Sequence, residues 1–366
     1  MSYFSGMLLV VVQMKTGKDR YEDMARSLFS KKVERIVSIM NVICQMSFAV
    51  SYIVFTKETV PFIIEACGTA LPWWCGQSQW GQAFWAVASS AAVFLPLSIP
   101  RTVGAFRYVT LVGVVCAFQI FLTVLFSFFF DRKTVPSVEA AWERSKLFVF
   151  SFNGIVDSVP LIVFAFMFQV NVPQIQEELE RQNYRRMRTV LSWGVFLTFL
   201  LYVGTGVFGY LSFDLHPTRD LKQKNILIAP YVHNYGIIAA NFGGLLTTLA
   251  AMIMVNLPCK DSIEEMAYRT GMTPRQNILV TFLLILGSLL LALVIPGIGY
   301  AITLAGCTAN PIMGFFIPIL FYFKATPDEP KTSLKKITCI IVFVVIFIAS
   351  LLGFYNFVVS IIAFHS

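Results

Sequence analysis

A chain of 366 residues that is 57% hydrophobic, 15% aromatic and only 13% charged is too apolar for a soluble domain, where about a quarter of residues are charged. Its formal charge of +8 does not imply a nucleic-acid partner, because 20 of the 28 Lys and Arg fall in alternate loops, the bias that orients a membrane protein. The partner that this composition calls for is the lipid bilayer.

Runs of about 20 apolar residues, each long enough for a helix to span, recur at 36–55, 83–99, 108–130, 147–171, 189–212, 235–257, 278–295, 298–323 and 337–363. An opening run, Tyr3 to Gln13, is about half a span. It has no basic leader and no small-residue cleavage site, so it does not read as a signal peptide. If it exits to the cytoplasm, the Lys/Arg-rich loops are all cytoplasmic.

Lys15 to Arg35 is charged, and Tyr21, Met24, Ala25 and Leu28 share one helical face, which predicts an amphipathic connector. The span after it carries Asn41 and Gln45 at i,i+4 spacing among apolar neighbours, with Tyr52 higher up. Such residues either join helices or contribute to a solute site. The outward loop 56–82 holds the interface aromatics Trp73, Trp74 and Trp80. It also holds Cys67 and Cys75, for which an oxidising compartment permits a disulfide that spacing alone does not establish. The other five cysteines lie in or at the ends of spans, and His216, His233 and His365 lie in loops or at the terminus. No metal spacing, no catalytic grouping and no cofactor site is read from the chain.

The stretch from Asn153 to Glu180 is apolar enough to span, yet contains Asn153, Asp157, Pro160, Gln169, Asn171 and Pro173. Each proline removes a backbone donor, and in lipid that loss is tolerated only where the freed groups face protein, water or a solute. A discontinuous helix lining a site is the expectation. Asp157 is the only acidic or basic residue well inside these apolar runs. It is a candidate for a proton, a cation or a substrate amine, or else a residue near the surface beside Asn153. Span 235–257 brings Gly243, Gly244, Thr247, Thr248 and Asn256, suited to close packing or to a cation. Span 298–323 contains Gly299, Gly306, Asn310, Pro311, Gly314 and Pro318, too many breakers for a plain anchor.

Counted from the opening run, successive connections are about 22, 27 and 8 residues; counted from span 189–212 they are about 22, 20 and 2, each on the opposite side of the membrane. Two inverted repeats of five helices would produce this. Residues 1–130 would then be the remainder of the first repeat, 147–323 the second, and 337–363 an appended helix. The broken helix that should open the first repeat has no counterpart before Tyr3.

Four patches carry a resemblance. SFNGIVDSVPLIVFAFMFQVNVPQIQEEL is similar to the sixth helix of the amino acid/auxin permease family. PLSIPRTVGAFRYVTLVG is similar to its fourth-to-fifth helix turn, LPCKDSIEE to the end of its eighth helix, and IPGIGYAITLAGCTANPIMGFFIPILFYFK to its ninth-to-tenth junction. The match extends over nearly the whole chain, with the flavour of the amino acid permeases of trypanosomatid parasites. The resemblance implies an all-α membrane protein with a leucine-transporter-like fold of 5+5 inverted repeats, an extra last helix and a missing first helix. It implies transport of an amino acid by alternating access, secondary active or facilitative, in the plasma membrane or a vacuolar/lysosomal-type membrane. A transport-incompetent truncated permease or an amino acid sensor is the alternative.

By position, the family's sixth-helix unwinding falls at Phe164, Ala165 and Phe166. Val163 and Phe168 are then expected to shape the pocket, and Asn41 or Gln45 to join it. Coupling-ion candidates are Asp157, Thr247 and Thr248. In sodium-coupled relatives a threonine lies seven residues before the proline aligned with Pro258, where this chain has Ala251. Alanine offers no oxygen to a hard cation, so a co-transported proton, or no coupling, is expected in place of sodium.

Overall fold

The structure is a computed structural model that describes residues 1–100, 106–132, 135, 137–145, 150–180, 182–213, 225–228, 235–268, 271–330 and 332–365. The turn Arg101–Ala105, loop residues Lys133, Thr134, Pro136 and 146–149, and His216 and His233 lie outside the described residues.

Among the described residues there are helices and no strands. In chain order they are α1 (Ser2–Thr16), α2 (Tyr21–Leu28), α3 (Lys31–Ala66) and α4 (Gln79–Ser98), the last with a π-helical turn at Ser90–Phe94. There follow α5 (Phe106–Phe130), α6 (Val138–Arg144), α7 (Phe152–Ala165), α8 (Val172–Glu177), α9 (Tyr184–Phe213) and α10 (Tyr235–Ala267). The chain closes with α11 (Pro274–Val294), α12 (Ile298–Cys307), α13 (Ile317–Ala325) and α14 (Leu334–His365). Nine stretches among the described residues are long and apolar enough to cross a membrane, and they coincide with the nine predicted runs.

Two of those runs prove longer than their apolar stretches. The 36–55 run becomes a helix from Lys31 to Ala66, and the 235–257 run one from Tyr235 to Ala267. As a result Lys57, 4% exposed, and Lys260, fully buried, lie inside membrane helices, and Asp157 is not alone there. Both lysines are accommodated because their ammonium groups meet backbone carbonyls, described below.

α3 is the central post. α10 packs along it, α4, α11 and α12 lean on it, and α5 lies against α10 with α9 outside it. The lipid-facing helices are apolar all round, as expected of elements whose outer solvent is hydrocarbon: α9 exposes Phe196, Leu197, Phe199 and Leu200. α1, with 15 residues and hence a length of about 22 Å, does not reach across a bilayer. It is nonetheless enclosed, with Leu9, Val10 and Val12 wholly buried against α8, α9 and α13. It stops at Gly17, whose φ of 64° is the left-handed cap that glycine adopts without cost. α2 then lays the expected face, Tyr21, Met24 and Ala25, into the same core. α11 begins at a capping box in which Thr273 and Gln276 exchange backbone bonds. Cys67 and Cys75 are both free thiols, one exposed and one buried, so the disulfide that the loop permitted is not formed.

Candidate functional site

The run from Asn153 to Glu180 is indeed interrupted. α7 starts at the Ser151 cap, whose hydroxyl accepts the Gly154 N–H, and runs through Pro160 to Ala165. α8 starts where Pro173, having no N–H to lose, sits in its first turn. Between them the Phe166 N–H still reaches Ile162 O at 3.0 Å, but the Met167 N–H turns to Phe164 O at 3.2 Å. The Phe168 N–H leaves the ladder and donates to the Gln169 side-chain oxygen at 2.9 Å. The carbonyls of the last turn of α7 are thereby released from their usual i+4 donors. Gln169 is fully buried, and its Nε2 has no acceptor among the described residues.

The opening lies at Phe166–Phe168, two residues beyond the expected Phe164–Phe166, and Phe164 and Ala165 are still helical. The displacement has a local cause, since the Gln169 amide substitutes for the carbonyl that would have carried the helix onward.

Aromatic rings gather on one side of this break. Phe164 packs on Phe48 of α3 with centroids 4.7 Å apart, and Phe48 neighbours Tyr52 at 6.4 Å. Phe166 meets Tyr202 of α9 edge-on at 5.3 Å. The Tyr202 hydroxyl lies 3.4 Å from Ala165 O, a long contact. Ala165 is exposed, so the end of α7 is accessible. Val163 and Phe168 face elsewhere: Val163 is buried in the cluster around α1 and α13, and Phe168 packs against that cluster with its ring over Gly6.

Asn41 and Gln45 are on the expected face of α3 and are buried, but it is Phe48, one turn further along that face, that packs on Phe164 in the last turn of α7, with Tyr52 beyond it. Asn41 lies about 10 Å lower by helical rise. There its Nδ2 donates to Glu22 Oε1 and to Ser262 Oγ, both at 3.0 Å, and Ser262 Oγ donates to the same Glu22 oxygen at 2.6 Å. Asn41 is thus a bolt between α2, α3 and α10. It borders a cavity of about 20 Å³, room for one water, with Asp19, Arg20 and Gln174 around it. Beside it, burial first and then the Cys44 thiol and Glu22 carboxylate push the Tyr21 phenol well above its ordinary range. It therefore stays a protonated donor toward Met313 O, 3.4 Å away.

The three coupling candidates are not brought together. Asp157 is exposed on α7, about 12 Å from the break by helical rise, and accepts from Asn356 Nδ2 of α14 at 3.0 Å. Thr247 and Thr248 donate to Gly243 O and Gly244 O of their own helix, at 2.9 and 2.8 Å. Thr247 faces α5, where its Cγ2 is near Gly113.

Sequence reasoning missed Phe48 and Tyr202. Phe48 continues the 41–45 spacing by i+3 and was legible; Tyr202 has no local signal, being placed by the packing of α9.

An all-helical, multi-pass membrane protein with one span opened at mid-length among rings and released carbonyls has the build of a transporter, since an anchor gains nothing from such a break. The family comparison agrees. The model of the transmembrane amino acid transporter protein family matches residues 1–362, and the chain belongs to that family. It is an integral membrane protein of the amino acid transporter class.

Proposed function

We propose that the protein carries its amino acid by alternating access, with the solute held at the break between α7 and α8. The observation that carries this reading is the carbonyl end of α7, released from its ladder and opening beside Phe48, Phe164, Phe166 and Tyr202. The C-terminal end of a helix favours a cation, which suits the solute's ammonium group, and the rings suit an apolar or aromatic side chain. In this reading 1–130 and 147–323 act as two related repeats, with 337–363 appended. Coupling is to a proton or absent. Asp157 is the proton candidate; Thr247 and Thr248, the other two coupling-ion candidates, already donate within α10.

The test is uptake into proteoliposomes of each of the twenty radiolabelled amino acids, with and without an inward proton gradient, by the wild type and by Ala165→Trp. The indole would fill the end of α7 without disturbing the core, because Ala165 is exposed. Saturable uptake by the wild type, lost in the variant with the protein still inserted, is expected. Equal uptake by both would overturn the placement of the site.

A further inference from the structure

We propose that Lys57 with Glu58, and Lys260, are positioning residues: a matched pair of clamps on helix ends, of which the Glu58 side sets the outer arm of the broken helix. This rests on the reading that α7 and α8 bound the solute path.

Two helix ends in the structure stop at the same tripeptide pattern. α4 ends at Ser98-Ile99-Pro100 and α11 at Val294-Ile295-Pro296. Proline offers no N–H to continue a helix; Ile295 before Pro296 leaves the helical region (ψ 122°), whereas Ile99 before Pro100 keeps helical angles. At membrane depth orphaned carbonyls must find protein donors. In both cases a buried lysine supplies them. Lys57 Nζ on α3 donates to Ala292 O and Ile295 O, both at 2.7 Å. Lys260 Nζ on α10 donates to Ser98 O at 2.6 Å and Ile99 O at 3.4 Å. Each lysine is followed by a carboxylate, Glu58 or Asp261. The two clamps sit toward opposite ends of the bundle, α3 holding α11 and α10 holding α4.

The Glu58 carboxylate adds a second grip. α12 begins after Gly297, which brings no capping side chain, and the Ile298 N–H donates instead to Glu58 Oε1 at 3.1 Å. Adjacent residues on α3 therefore hold the carbonyl end of α11 with a cation and the amide end of α12 with an anion, the polarity that each helix dipole favours. α12 in turn lies on α7 with no slack: a Cβ at Gly306 would stand 2.0 Å from Pro160 O. Below this contact the helix breaks at Thr308 (φ −116°, ψ −90°), and a π-helical turn follows at Ile312–Phe316. α7 and α12 can thus swing together about that joint, and Glu58 is the bond that the swing must release.

The test is amide hydrogen exchange on the full chain in nanodiscs, which needs no substrate. Glu58→Gln keeps size and loses the charge. Exchange is expected to rise by about tenfold or more, the scale of losing a charge-assisted bond, in the first turn of α12 and also along Phe152–Pro160, with the middle of α11 unchanged. A rise confined to α12 would reduce Glu58 to a local cap and overturn the coupling, as would no rise. Lys57→Arg, which still offers two donors, should preserve protection at the end of α11, and Lys57→Met should not; equal protection in both would overturn the clamp. Where the uptake screen finds a transported amino acid, Glu58→Gln should lower both KM and maximal rate, because an outer arm released more readily binds external solute more tightly and recloses more slowly. A lower maximal rate at unchanged KM would mean lost protein only and would overturn the positioning role. If no amino acid is transported, the exchange measurement still decides the clamp, while the transport reading fails by itself.

Discussion

Gly306→Ala isolates the contact through which α12 and α7 touch. A methyl group there would lie 2.0 Å from Pro160 O and 2.6 Å from Pro160 C, both backbone atoms. Ordinary carbon–oxygen approach is about 3.3 Å, so the two helices must separate by about 1.3 Å or distort. Overpacking of this kind costs about 1–3 kcal/mol, partly offset by the gain of up to about 1 kcal/mol that alanine brings to a helix in place of glycine. Two other glycines calibrate the effect. Gly194 on α9 has nothing within 4 Å, so alanine there should be neutral or stabilising. Gly287 on α11 meets only the terminal methyl of Met46 at 3.2 Å, a flexible group that can give way. Thermal unfolding of the three purified variants, followed by size-exclusion chromatography with fluorescence detection, should place Gly306→Ala clearly below the wild type and the other two near or above it. If Gly306→Ala matched Gly194→Ala, the close approach of α12 to α7 would be wrong, and with it the transmission of Glu58's grip.

Three shorter expectations follow. Tyr202→Phe should change KM by less than about fivefold, because the lost hydroxyl contact to Ala165 O is 3.4 Å long and worth under about 1 kcal/mol. Tyr202→Ala, which removes the ring beside Phe166, should change it more, and the order is read from uptake curves. Glu22→Ala removes one of the two acceptors of Asn41 Nδ2 and leaves Ser262 Oγ to Pro258 O, 3.0 Å away, and should lower stability by about 1 kcal/mol, whereas Glu22→Gln, which can still accept, should lose less in the same unfolding assay. Lys260→Met should lower the unfolding temperature while Lys260→Arg restores most of it, since the variant removes the ammonium that donates to Ser98 O at 2.6 Å.

The fold was legible where composition speaks directly. Apolar runs gave the nine spans found among the described residues, and the prolines of 153–180 announced the break, because lipid leaves so few ways to accommodate a lost N–H. What they could not give was where the break sits to the residue. That was settled by Gln169 taking the Phe168 N–H, a side-chain choice with no signature in spacing. The face of α3 was found through Asn41 and Gln45, but its height was not: helical periodicity fixes an azimuth, and only the packing of α2 and α10 shows that Asn41 bonds to Glu22 and Ser262 instead of reaching the break. The ends of α3 and α10 were drawn short because Lys57 and Lys260 look like loop residues when charge is counted without asking what it caps.

The two clamps differ in a way that bears on which end of the molecule moves. At the α4 end, Lys260 shares its work with Asn277, whose Nδ2 also donates to Ile99 O at 2.9 Å, and with Asn256, which donates to Ser98 Oγ at 3.1 Å. Neutral amides and an ammonium group converge on one helix end, and loosening it would require several bonds to break at once. At the α11 end, among the described residues, Lys57 is the side chain that holds the two carbonyls, and the neighbouring grip on α12 is the Ile298 N–H bond to the Glu58 carboxylate. A bond of that kind, worth about 1.5–3 kcal/mol, is on the scale that separates two conformers of comparable population. Strength at one end and this releasable bond at the other make the α12 end the one poised to open while α3, α4, α10 and α11 hold still. Cross-linking α12 to α3 near Ile298 should therefore stop transport, whereas cross-linking α4 to α10 near Ser98 should leave it running.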